Sequence, residues 1–212
     1  MPGLRGRKAS DTVGMALQRV DLSTVSVALL STLDDAKLEA LASAFAHEEH
    51  WLGGNPITVI RRMQLDNRLG AALHVTAWSG NRPVALFGWR PFAGNSEHLE
   101  TETYVCRDWR GTGLAGALKS LQWDVAKATG RRLFVAVNVR NTRAIRYVTK
   151  LWPWIFTQTV FLRGAKNVVW DVTDETPEGY APSLETVTES LAPLVEKLAP
   201  ASHRQRPAVA LF

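Results

Sequence analysis

The hydrophobic period changes twice between Leu99 and Val139, and this change constrains the fold more than any other feature of the chain. Leu99–Cys106 alternates as a strand does. From Leu114 the apolar residues Leu114, Ala117, Leu118, Leu121, Val125 and Ala128 recur at i, i+3, i+4, i+7 spacing, the face of an amphipathic helix that ends near Gly130. Leu133–Val139 is an almost unbroken apolar run, as expected for a strand buried on both faces and paired in parallel across a helical crossover. The stretch is a βαβ unit.

The segments around it predict antiparallel neighbours. Val25–Thr32 reads as a strand, after which Asp34 caps a helix with Leu38, Leu41, Ala42 and Phe45 on its apolar face. A second helix runs from Pro56 to Asn67, carries Val59, Ile60, Met63 and Leu65, and stops at Gly70. Leu73–Trp78 and Val84–Arg90 form a hairpin through Ser79-Gly80-Asn81-Arg82, and Leu99–Cys106 continues it as a meander. After the βαβ unit, Asn141 caps a helix with Ala144, Ile145, Val148 and Leu151, halted by Pro153. A closing hairpin pairs Trp154–Leu162 with Asn167–Val172. The expected class is α+β in α/β/α layers, with a mixed, mostly antiparallel central sheet and one parallel βαβ unit.

Residues 1–22 read as a flexible basic N-terminal segment, 23–176 as one globular domain, 177–200 as a C-terminal helix packed on it, and 201–212 as a flexible tail. No apolar run reaches the length of a membrane span, and the N-terminus lacks the apolar core of a secretory signal. Cys106, the single cysteine, excludes an internal disulfide and any multi-cysteine zinc site, which together predict a soluble, cytoplasmic protein. The formal net charge is +5, yet Arg107–Lys166 alone holds twelve Lys and Arg against Asp108 and Asp124, a net of +10. That segment calls for an anion: a phosphorylated cofactor, a nucleic acid or an acidic partner.

Arg110-Gly111-Thr112-Gly113-Leu114-Ala115 lies where the strand gives way to the helix. A helix N-terminus has unpaired N–H groups and a positive dipole end, and glycines let a phosphate approach the main chain closely. The chain here resembles the GNAT (GCN5-related N-acetyltransferase) superfamily, whose signature Arg/Gln-x-x-Gly-x-Gly/Ala is met by Arg110, Gly113 and Ala115. Tyr104-Val105-Cys106-Arg107 before it and Asn141-Thr142-Arg143-Ala144 after the next strand extend the resemblance, as does the order of elements from Val25 to Val172. The resemblance implies an acyl transfer from acetyl-CoA to an amine by direct attack in a ternary complex, without a metal. It implies that Val105, Cys106, Arg107, Arg110, Gly111, Thr112, Gly113, Leu114 and Ala115 grip the cofactor's diphosphate. It also implies that the strand ending at Val105 and the strand Leu133–Val139 splay apart, that pantetheine pairs with the main chain of Glu102–Val105 in that splay, and that Asn141 bonds the pantetheine or its loop. Small-molecule or protein amines, or an amine carried by a nucleic acid, are the acceptor classes, and the chain acts as a monomer or homodimer.

An ammonium acceptor must lose a proton before attack. Glu100 is the first candidate base and Glu102 shares its face, where two carboxylates are expected to raise one another's pKa. The family's thiolate-protonating tyrosine stands seven residues after the Asn; Val148 occupies that place and Tyr147 comes one residue earlier, about 100° round the helix. Tyr147 is the candidate general acid, and the family's Gly-Phe after this helix is replaced by Trp152-Pro153-Trp154. His47-Glu48-Glu49-His50-Trp51 departs from His-Glu-x-x-His and reads as an exposed helix end. Two alternatives stay open: a nucleic-acid-binding protein using the basic segment, and an NADP-binding Rossmann enzyme reading Gly111-Thr112-Gly113-Leu114-Ala115-Gly116 as its fingerprint, with Arg140 after the next strand.

Overall fold

The computed structural model describes residues 25–46, 54–128 and 130–175. The expected N-terminal segment, the C-terminal helix and tail, and the run His47–Trp51 lie outside them. In chain order the elements are β1 (Val25–Leu29), α1 (Asp35–Phe45), α2 (Pro56–Arg68), β2 (Leu73–Ser79), β3 (Arg82–Phe92), β4 (Asn95–Val105), α3 (Leu114–Ala128), β5 (Arg132–Asn138), α4 (Thr142–Leu151), β6 (Gln158–Leu162) and β7 (Ala165–Asp171). They build one sheet of order β1-β2-β3-β4-β5-β7-β6, in which β4 and β5 are parallel and the other pairs antiparallel. A Rossmann domain needs a parallel sheet, so the dinucleotide reading fails on topology.

Helix starts follow from local chemistry. Asp34 accepts from Lys37 N at 2.8 Å, Asn55 from Ile57 N at 3.2 Å with Pro56 next, and Asn141 from Ala144 N at 3.1 Å. Strand alternation then sorts the core to the two faces of the sheet. Phe87, Trp89, Val135 and Trp170 pack with Leu114, Leu118 and Leu121 of α3 and Val148 of α4. Leu86 of β3 joins Leu38, Leu41 and Phe45 of α1 and Ile60 of α2 on the opposite face, where Phe134, Leu162 and Val169 form a smaller satellite. Each such buried side chain contributes about 1.5–3 kcal/mol, so the helices are fixed to the sheet on both sides. Two indole bonds lock α3 in place: Trp89 Nε1 donates to Gln122 O at 3.0 Å and Trp123 Nε1 to Val172 O at 3.1 Å.

Several boundaries differ from the sequence reading. β1 stops at Leu29 because Leu30–Thr32 tightens into a 3-10 turn. β4 begins at Asn95 rather than Leu99, entered by a tight turn with Ala93 and Gly94 at positive φ. β6 begins at Gln158 rather than Trp154: after Pro153 the chain runs irregularly, with Trp154 and Phe156 58% and 89% exposed. Leu65, expected on the apolar face of α2, is exposed, and Gln64 is buried instead, donating to Leu30 O and Leu33 O at 3.1 and 3.0 Å.

The splay is the feature that positions the site. β4 pairs with β5 only over His98–Thr101 against Arg132–Val135, although β4 runs on to Val105 and β5 to Asn138. Beyond Thr101 the strands diverge, and β5 continues against β7 alone. A wedge therefore opens between Glu102–Val105 and Ala136–Asn138, its mouth toward the N-terminus of α3.

Candidate active site

At the mouth of the wedge, a 3-10 turn (Arg107–Trp109) leads to Gly111 at φ +80 and Gly113 at φ +91. Thr112 Oγ1 ties the turn by donating to Trp109 O at 2.6 Å and accepting from Leu114 N at 3.4 Å. The helical ladder starts with Ala117 N to Gly113 O at 3.1 Å, so the preceding first-turn N–H groups have no acceptor within the helix. A Cβ built on Gly113 would meet nothing within 4 Å, so open space faces this main chain. Arg110 Nε donates to Val105 O at 3.0 Å, which pins the guanidinium beside the turn. Leu114 is buried, Ala115 partly buried, and Arg107 and Gly111 exposed. Cys106 faces away into the α1/α2 core, its Sγ donating to Pro83 O at 3.3 Å.

Deeper in the wedge the α1/α2 face of the sheet carries a buried charge network. Glu100, 1% exposed, is held by Arg163 Nη1 and Nη2, each at 2.7 Å, and by Arg90 Nε and Nη2 at 3.3 and 3.2 Å. Glu102 accepts from Arg90 Nη1 at 2.6 Å and meets His74 Nε2 at 2.8 Å. The register explains the last contact: His74 and Glu102 both pair with Gly88, whose missing side chain lets the two reach across β3. Burial raises the Glu102 pKa, but the His74 hydrogen bond and the charge of Arg90 outweigh it and leave it below the usual carboxylate range. The expectation that the paired carboxylates raise each other is thus reversed at Glu102, because two arginines and a histidine intervene. A carboxyl whose folded pKa is depressed stabilises the fold above its unfolded value and loses that contribution as pH falls through the folded one. Acid titration monitored by circular dichroism should therefore show stability falling below the ordinary carboxylate range, with a flatter slope in Glu102→Gln.

On the opposite face, Lys119 of α3 donates from Nζ to Thr101 Oγ1 at 2.6 Å. Burial pulls its amine down to about 7, while Glu100 and Glu102, across the sheet, pull it back up. Gln122, one helical turn on, donates to Gly88 O and Glu102 O at 2.7 Å each and accepts from Thr103 Oγ1 at 2.8 Å.

No protein-family model matches the sequence, and no curated protein matches it. Solved structures do match. An N-acetyltransferase from Staphylococcus aureus Mu50 superposes with a TM-score of 0.51 at 16% identity, over 69% of this chain and 96% of that one. The GNAT domain of S. lividans PAT gives 0.52 at 17%, over 68% and 89%. The aminoglycoside acetyltransferase AAC(6')-Ib, solved with coenzyme A, gives 0.53 at 16%, over 69% and 94%. The chain has the GNAT fold.

Within that GNAT fold the residues singled out from sequence fall into three groups. Val105, Arg107, Arg110, Gly111, Thr112, Gly113, Leu114 and Ala115 lie along the mouth of the wedge, and Glu100 and Glu102 share one face near its closed end. Asn141 spends its Oδ1 on capping α4. Tyr147 sits on α4 with 38% of its surface exposed. Sequence reasoning missed His74, Arg90, Arg163 and Lys119. His74 and Arg90 reach the carboxylates through strand register and Arg163 from the β6–β7 turn, long-range contacts that no local pattern reveals. Lys119 left a trace: Lys119 and Gln122, three residues apart, form a polar edge beside the Leu114, Leu118, Leu121 face.

Proposed function

We propose that this protein is an acyl-CoA-dependent N-acyltransferase that moves an acetyl or similar acyl group to a primary amine by direct attack in a ternary complex. The observation that carries the reading is the splay between β4 and β5, opening onto a glycine turn whose main chain faces empty space at Gly113. The residues present suit the ligand. Gly111 and Gly113 adopt φ values that other residues rarely take, and with the first turn of α3 they offer N–H groups to a diphosphate, flanked by Arg107 and Arg110. Beyond Thr101 the edge of β4 has no pairing to β5, which suits the amide groups of a pantetheine arm. Acetyl-CoA, when bound, supplies an activated thioester carbonyl.

The chain's own groups then handle the acceptor. Glu100 and Glu102, neutralised by Arg90 and Arg163 in the free protein, are the carboxylates on the α1/α2 face that take the acceptor's proton once its ammonium displaces a guanidinium. Arg163, on the β6–β7 turn and 40% exposed, holds the outer side of Glu100, so a cationic acceptor competes with its guanidinium for that carboxylate. Small-molecule and protein amines are both compatible acceptors. Glu100→Gln is expected to lower kcat by about 10²–10⁴-fold with acetyl-CoA affinity unchanged, the range for losing a general base. Calorimetry with acetyl-CoA and thiol release over an amine panel check it; full turnover in the variant would remove Glu100 from the chemistry.

A further inference from the structure

The geometry points to Lys119 as the group that receives the CoA sulfur as it leaves, holding the developing thiolate with its ammonium and passing it a proton; this rests on the acyltransferase reading above. Three observations converge. Thr101 is the last β4 residue paired with β5, so it marks the closed end of the wedge, and Lys119 Nζ is bonded to its hydroxyl at 2.6 Å. The glycine turn and Lys119 belong to one side of the sheet: Thr101 and Thr103 both bond side chains of α3, whose first turn is the proposed diphosphate site. An arm anchored there and lying along β4 travels about 13 Å from Val105 to Thr101, four residues of extended strand, which brings the thioester end beside Nζ.

The charges support this placement. Glu100 and Glu102 occupy the opposite face of the same strand, with Arg90 from β3, Arg163 from the β6–β7 turn and His74 from β2 bound to them. The proton of the acceptor is thus removed on one face, and the sulfur is met by an ammonium on the other. Gln122 and Thr103 are the neutral polar groups on the Lys119 face. Burial brings the Lys119 amine down to about 7, where it gives up a proton readily at neutral pH. Tyr147 stands on α4, past the end of β5.

The step balances. The acceptor nitrogen forms the new C–N bond, the C–S bond breaks with its electron pair on sulfur, and Lys119 transfers one proton from Nζ to that sulfur. Lys119 is left as the neutral amine and is reprotonated from solvent. The products are the amide and the free thiol.

The test needs no acceptor. Full-length wild type, Lys119→Met and Lys119→Arg are each mixed with CoA, and thiolate absorbance in the ultraviolet is followed against pH; acetyl-CoA affinity is measured in parallel by calorimetry. In the wild type the thiol of bound CoA should ionise at least about one pH unit below that of free CoA, the effect of a cation in contact. Lys119→Met should abolish the shift and Lys119→Arg should keep it, with acetyl-CoA affinity within about threefold in both. A wild type without the shift, or a shift that survives in Lys119→Met, would overturn the assignment. Failure of the wild type to bind acetyl-CoA at all would overturn the underlying enzyme reading, and this one with it, and calorimetry separates the two results.

Discussion

Gly113→Val is expected to weaken acetyl-CoA binding by at least about a hundredfold, or roughly 2.7 kcal/mol, with circular dichroism and oligomeric state unchanged. Two effects add. At φ +91 a β-branched residue is strained by about 1–3 kcal/mol, so the turn shifts and its N–H groups lose their aim. The isopropyl group also enters the open space in front of the main chain, where the diphosphate has to sit. Because nothing packs there in the free protein, the cost to folding is limited to the strain. Calorimetry on the two proteins checks the ratio. Affinity within a few-fold of wild type would detach the turn from the ligand.

Gly88→Ala should do the reverse, damaging the fold first. A Cβ at Gly88 would stand 2.1 Å from Leu73 O and 2.9 Å from His74 Cα, both backbone atoms in the middle of the sheet. The β2–β3 pairing must yield, at a cost of about 3 kcal/mol, the upper end for overpacking. The same movement drives His74 away from Glu102 and leaves the carboxylate with Arg90 alone. A denaturant midpoint well below wild type is expected, together with loss of turnover. A variant of native stability would mean that the close approach of β2 and β3 at Gly88 does not matter.

These two glycines also show what a sequence exposes and what it hides. Gly113 is legible: it stands between a strand pattern and a helix pattern, in a spacing that resembles a known anion-binding turn, and the reason for it is local. Gly88 sits inside an apolar strand and carries no mark, because its neighbours Leu73 and His74 arrive from another strand. The same division runs through the site. The parallel β4–β5 pair was legible from the βαβ unit, whereas the wedge between its strands was expected only through the resemblance of the turn and its flanking strands to a known family. Glu100 and Glu102 could be put on one face by alternation alone. Their arginines and histidine could not, and so the expected mutual rise in pKa turned out reversed at Glu102. The apolar run after Pro153 misled in the other direction: Trp154 and Phe156 look like strand residues and lie exposed.

The most direct test is a crystal structure of the full chain grown with acetyl-CoA. The account predicts the diphosphate within hydrogen-bonding distance of main-chain N–H groups of Gly111–Ala115, the pantetheine between β4 and β5, and the sulfur beside Lys119 Nζ. A diphosphate bound elsewhere, or a wedge closed by protein side chains while the ligand is absent at saturating concentration, would contradict it.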